Sequence, residues 1–178
     1  MTRLILIFSL AAALAACKED VTVEAPEPVA MTPEAVGYYC QMDVLDHDGP
    51  KAQIHVAHLD KPLWFGQVRD AIAYTRLPEE TAEVTAIYVH DMANAESWAD
   101  PGSENWIAVE DAYFVIESSR TGGMGAPEAV PFGSPEAAST FIAEHGGQTV
   151  RLAEITDDYV LAPVDVSSVT PSAPESVQ

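Results

Sequence analysis

"WFGQVRDAIAY", residues 64–74, and "PFGSPEAASTF", residues 131–141, share a Phe-Gly pair at a constant offset of 67. Each pair follows strand-like sequence and precedes a helical pattern and then another strand-like run. In the first, Val68, Ile72 and Thr75 fall on one face, which predicts a helix over 67–76 that Pro78 helps to end. In the second, Ser134 reads as an N-cap, Pro135 and Glu136 suit the first turn, and Gly146-Gly147 is a stop, predicting a helix over 134–147. Matching element order and the shared dipeptide predict an α+β fold of two tandem β-β-α-β units, pseudo-duplicated.

The strands expected around these helices are "AQIHVAHL" (52–59), "PLWF" (62–65), "EVTAIYVHDM" (83–92) and "QTVRLAEI" (148–155). Residues 83–92 carry bulk on both alternating faces and so read as a central strand. After a polar turn at 98–105, "WIAVEDAYFVIES" (106–118) reads as one or two strands, and "TGGMGAPEAVPF" (121–132) as a glycine-rich loop entering a short strand. The two units are assigned to 37–98 and 99–162.

Outward from this core the composition changes. Residues 1–16 carry Arg3 and a short apolar run, too short to span a bilayer as a mature helix, and read as a signal peptide. "LAAC" at 14–17 resembles a bacterial lipobox, which makes Cys17 the expected lipid anchor at the head of a proline-punctuated tether, 17–36. The last stretch, 163–178, has similar composition and reads as a disordered tail. Localisation is expected to be a membrane-anchored lipoprotein facing the periplasm, held only by its lipid.

Losing residues 1–16, which contain Arg3 and no acid, leaves 162 residues and moves the formal charge from −20 to −21. Such a surface repels polynucleotides and anionic headgroups, so no nucleic acid is expected as a partner. No phosphate-binding, dinucleotide, G-x-S-x-G, H-E-x-x-H or C-x-x-C motif is present.

With Cys17 lipidated, Cys40 has no second cysteine in a compartment that oxidises thiols. If "CQM" (40–42) is extended, Cys40 and Met42 project to the same side. A thiolate and a thioether are soft donors suited to Cu(I). Equally, Cys40 could be a small buried hydrophobe and Met42 a core filler; the residues alone leave both readings open. Met124, flanked by glycines in "TGGMGAPE", is a candidate third sulfur, with a methionine tucked into a nearby apolar patch as the alternative. Among the histidines only His47 stands near enough in sequence to be an occasional nitrogen ligand.

The lipobox, the proline-rich tether, C-x-M followed by "GPKAQIHV", then "DKPLWFGQVRDAIAY" and the Gly-Met-Gly loop before "VPFGS" together resemble the NosL family of copper-binding lipoproteins. The resemblance implies two β-β-α-β units distantly like the organomercurial lyase fold. It implies a Cu(I) metallochaperone, not an enzyme, with Cys40, Met42 and Met124 as metal ligands. Its cargo would go to the tetranuclear copper-sulfide centre of nitrous-oxide reductase, the denitrification enzyme, by docking to the ABC-type assembly complex in the membrane. Two rival expectations are a docking lipoprotein with an inert Cys40 and a thiol-dependent enzyme with a lyase-like fold; the lack of a second nearby cysteine weighs against the latter.

Overall fold

The computed structural model describes residues 25–164; the expected signal peptide, Cys17 and most of the tail lie outside them. The described elements are β1 (Ala52–Val56), β2 (Leu63–Phe65), α1 (Val68–Tyr74), β3 (Val84–His90), β4 (Trp106–Ala108), β5 (Tyr113–Ile116), β6 (Val130–Phe132), α2 (Pro135–His145), β7 (Gln148–Val150) and α3 (Asp157–Leu161). Strands form two sheets of order β2-β1-β3-β4 and β6-β5-β7, with every neighbouring pair antiparallel. In both sheets the first strand of a hairpin is central. The second strand lies on one side of it, and the strand that follows the helix lies on the other. The fold is mixed α+β.

The helices form where their ends are specified. Ser134 accepts from the Ala137 amide at 3.2 Å, and Gly146 stops α2 at φ 70, a left-handed value open to glycine. The glycines of the two Phe-Gly pairs have a different reason, since neither has a positive φ. At Gly133 an added Cβ would lie 2.6 Å from Asp91 Oδ2, and at Gly66 it would lie 3.2 Å from His47 Cδ2. Both mark places where a strand leaves for its helix beneath a side chain from an earlier segment.

Period-two alternation builds the cores. Ala52, Ile54 and Val56 of β1 join Phe65, Ile72, Val89, Phe114 and Ile116 in one cluster shared by both sheets, while Val115, Val130 and Phe132 pack beneath α2. The second sheet is thus covered on one face by the first unit and on the other by its own helix.

Several expectations are corrected. β4 falls in the stretch assigned to the second unit (99–162), yet it pairs with β3 and extends the first sheet. Trp106 of β4 stacks on the fully buried His90 at 3.9 Å and so covers that imidazole. The strand expected over 148–155 ends at Val150 and passes into a 3-10 turn, Leu152–Glu154, followed by α3, which was not foreseen. Within the expected tether, residues from Pro26 onward are docked on the domain. The Gln53 amide donates to Val29 O and accepts from Val29 N, Tyr88 OH donates to Pro26 O at 2.7 Å, and the Met31 amide donates to Ser103 O at 2.9 Å. Met31, solitary in the sequence, is buried with Ala35 and Val44 against Trp64 and Trp106. This strap lies against Gln53 of β1, a strand in which every residue is buried.

Candidate metal centre

Cys40 sits at the tip of a tight loop and not in an extended segment. Val36 bridges Asp43, the Gly37 amide donates to Met42 O at 2.9 Å, and the Gln41 amide donates back to Gly37 O at 2.9 Å. Gln41 takes a left-handed φ of 56, and its side-chain amide donates to Tyr38 O at 2.7 Å, bracing the turn from within. The strand alternation expected for Cys40 and Met42 therefore does not apply, because the reversal at Gln41 breaks it. Gly37 gives the sulfur room: a Cβ there would stand 2.5 Å from Cys40 Sγ.

The loop is fastened to the edge of the first sheet. The Tyr38 amide donates to Trp64 O at 2.7 Å, and the hydroxyls of Tyr38 and Tyr39 donate to the two carboxylate oxygens of Glu80 at 3.3 and 3.1 Å. Burial and the Glu80 charge push both phenols above their ordinary range, keeping them donors. Tyr38, Tyr39, Phe65 and Tyr74 form a ring cluster with centroids 5.1 to 6.5 Å apart.

Met124 projects from a glycine turn of the second unit, closed by hydrogen bonds from Gly125 N to Gly122 O and from Gly122 N to Ala126 O, both 2.8 Å. The glycines are needed for close approach. A Cβ on Gly123 would strike the His47 side chain and come within 3.0 Å of Asp48 O, and one on Gly122 would meet Gln67 and Glu128. The loop is thereby pressed against the chain just after Met42.

These contacts place Met124 between the other two sequence-predicted sulfur residues. Met124 lines a cleft of about 350 Å³ together with Cys40, and a neighbouring one of about 890 Å³ together with Met42. Met42 is 43 % and Met124 42 % exposed, and Cys40 is half-buried, so neither methionine fills the core. Among the described residues no group of three or more His, Cys, Asp or Glu could hold a metal ion. The sulfur donors at this rim are one cysteine and two methionine thioethers, a soft set, and Asp46, His47 and Asp48 line the Met42 cleft beside them. His47 lines the Met42 cleft, and its Nε2 is buried without a partner. The other histidines lie elsewhere. His90 accepts from the Lys51 amide through Nδ1, and burial drives it down to about 3, while His145 packs on Phe141 at the end of α2.

Residues 28–160 match the sequence profile of the NosL family. The chain belongs to that family. It is 52 % identical over 167 residues to the copper-binding lipoprotein NosL of Achromobacter cycloclastes, covering 93 % of this chain and 86 % of that protein. It is 31 % identical over 147 residues to the copper-binding lipoprotein NosL of Stutzerimonas stutzeri, covering 82 % and 75 %. Among solved structures, the crystal structure of the copper chaperone NosL from Shewanella denitrificans superposes with a TM-score of 0.68 at 32 % identity, covering 73 % of this chain and 96 % of that one. The matched span begins within the docked strap, which agrees with its place in the folded body. Among the described residues no helix is long and apolar enough to cross a membrane.

Three residues around the rim escaped the sequence reading. Glu80 lies in a loop some forty residues from the tyrosines it holds, with nothing local to mark it. Gln67 is 2 % exposed and accepts from the Met124 amide at 3.1 Å. Glu128 is fully buried, and burial pushes its carboxyl up to about 8; its Oε1 accepts from the Arg69 and Ala129 amides, both at 2.9 Å. Lys51, also buried, is driven down to about 8 by loss of water, with Glu128 and Asp48 pulling the other way. Gln67 did leave a signal: it occupies the position where Ser134 caps the second helix.

Proposed function

We propose that this chain binds Cu(I) as cargo through Cys40, Met42 and Met124 and hands it on for assembly of the tetranuclear copper-sulfide centre of nitrous-oxide reductase. The observation that carries the reading is that exposed Met124 lines one cleft with the free thiol of Cys40 and a second with exposed Met42, while among the described residues no group of three His, Cys, Asp or Glu could hold a metal ion. The family relatives described as copper-binding lipoproteins and as a copper chaperone support it.

Cys40 supplies the thiolate, whose negative charge matches the single positive charge of Cu(I), and the thioethers complete a low-coordinate shell without adding charge. Such a shell leaves the metal open to an incoming ligand. Transfer then runs by exchange: a client sulfur or nitrogen bonds to the copper as one methionine leaves, Cys40 departs last, and the oxidation state is constant throughout. The protein binds and releases; it does not catalyse. In this reading Cys17 carries the lipid that holds the domain at the periplasmic membrane face, and delivery proceeds through the ABC-type assembly complex with the reductase as client. The two β-β-α-β units descend from one duplication, a reading supported by the shared order of three strands in each sheet, β2-β1-β3 and β6-β5-β7, and by the Phe-Gly offset, with a distant likeness to the organomercurial lyase fold.

Anaerobic competition between the reduced, unlipidated protein and a chromophoric Cu(I) chelator tests the site. Wild type should outcompete Cys40→Ser by orders of magnitude, with Met42→Leu and Met124→Leu between them; equal affinities would remove the copper reading. For the client, a strain lacking the protein should yield reductase without its tetranuclear centre, and full copper there would remove the delivery step.

A further inference from the structure

Gln67 and Ser134 stand at the same point of the two units, directly after Phe-Gly and directly before a helix. Their backbones are alike, with φ −141 and ψ 140 at Gln67, and φ −142 and ψ 151 at Ser134. Ser134 uses its side chain in the ordinary way, to cap its own helix. Gln67 makes no cap hydrogen bond. Its buried amide instead crosses to the second unit, where Oε1 accepts from the Met124 amide at 3.1 Å while Nε2 donates to Asp70 Oδ2 at 3.0 Å.

The start of α1 is capped from the opposite direction. Glu128 Oε1, four residues beyond Met124, accepts from the amide of Arg69, the second residue of α1, at 2.9 Å. Between the two side chains lies Gly122, where a Cβ would strike Glu128 Oε2 and come within 2.5 Å of Gln67 Oε1. Helix and loop are cross-braced: α1 lends its N-cap side chain to the Met124 loop, and the segment after that loop lends a carboxyl to α1. A position that forgoes a local stabilisation its counterpart uses is the kind expected to serve function.

We propose that Gln67 is the positioning residue for Met124, with Glu128 as its counterpart, and that this brace sets the thioether loop of the second unit against the Cys40 loop of the first. The proposal rests on the Cu(I) reading of Cys40 and Met124. The Cys40 loop is itself tied to Trp64 through the Tyr38 amide, so the short run from Trp64 to Gln67 holds both loops in register. Holding the donors in place before the metal arrives lowers the ordering cost of binding it.

Gln67→Ser separates this role from a structural one, because it gives α1 the cap that α2 has and takes the anchor from Met124. In the reduced, unlipidated protein the variant should stay folded, the new cap offsetting part of the two side-chain hydrogen bonds it loses. Its Cu(I) affinity, by chelator competition, should fall about tenfold, the equivalent of one positioning hydrogen bond. The 13C-methyl resonance of Met124 in the copper-free protein should move toward its random-coil position. In a Met124→Leu background the same substitution should cost nothing further. Wild-type affinity in Gln67→Ser, or an equal loss in the Met124→Leu background, overturns the proposal. If Gln67→Ser does not fold, Gln67→Leu, which retains most of the side-chain volume, is read by the same criteria. Should wild type bind Cu(I) no better than Cys40→Ser, the copper reading falls and the positioning role with it; a shifted Met124 methyl would then leave the brace standing as structure alone.

Discussion

Replacing Glu128 by Gln should leave the copper-free protein about as stable as wild type near pH 4.5 and increasingly more stable than wild type as the pH rises toward 8. Burial holds the Glu128 carboxyl up to about 8 against an ordinary 4.5, so at neutral pH the folded state carries it protonated. A neutral carboxyl and a carboxamide have nearly the same shape. The amide oxygen can keep both bonds that Oε1 accepts from Arg69 and Ala129, and the amide nitrogen takes the place of Oε2, which has no partner and lies beside Gly122. The sign follows from proton counting. Between pH 4.5 and about 8 the folded state holds a proton that the unfolded state has released, so this contribution is complete below the lower value and is lost as pH rises through the upper one. The slope approaches about 1.4 kcal/mol per pH unit, which amounts to several kcal/mol across the window. Lys51 does not restore it, because its ammonium is itself driven down to about 8 and gives up its charge as Glu128 gains one. Urea denaturation of both proteins at unit steps from about pH 5 to pH 9 measures the difference. A gap between the two that stays constant with pH, or a variant weaker than wild type at pH 7 and above, would refute the reasoning.

The two Phe-Gly glycines should respond unequally to alanine. Gly133→Ala pushes into Asp91, whose carboxylate holds the Gly133 and Ala93 amides and the Asn94 side chain, and should cost about 2–3 kcal/mol, a melting shift on the order of 8 °C; Gly66→Ala meets only the edge of His47 and should cost less than about 1 kcal/mol. Thermal melting followed by circular dichroism decides it, and equal shifts would count against the close-approach argument. Gln53→Ala removes both side-chain bonds to Val29, so hydrogen exchange at the Val29 amide should quicken about tenfold or more while the β3 amides hold their protection. Unchanged exchange at Val29 would mean that the strap is held by its other contacts.

The fold was legible where local chemistry and tertiary structure agree. Ser134, Pro135 and the Gly146-Gly147 stop specify α2 to within two residues of where it forms, because caps act through nearest-neighbour amides. The C-x-M pair and the glycine-flanked methionine were visible as residue types, and their exposure in the structure removes the core-filler reading of the methionines. Other features were illegible for definite reasons. Gln41 adopts a left-handed turn that no glycine announces, and its own side chain supports it. The strap reads as a tether because its hydrogen bonds run to Gln53, Tyr88 and Ser103, all far along the chain. β4 joins the first sheet through its pairing with the end of β3, where Trp106 covers the buried His90, a contact between segments that no local pattern links.

By itself, then, the sequence determined most of the element types up to Val150, the repeated Phe-Gly frame and the soft character of the sulfur donors, all of which depend on side-chain chemistry and short-range periodicity. Only the tertiary structure decided that Met124 lies beside Cys40, that the Cys40 loop is tied by Glu80 and Trp64, and that Gln67 leaves its own helix to hold a loop 57 residues away. Those are contacts between segments remote in sequence. Their partners are chosen by which surfaces the folded sheets bring together, and residue spacing carries no record of that choice.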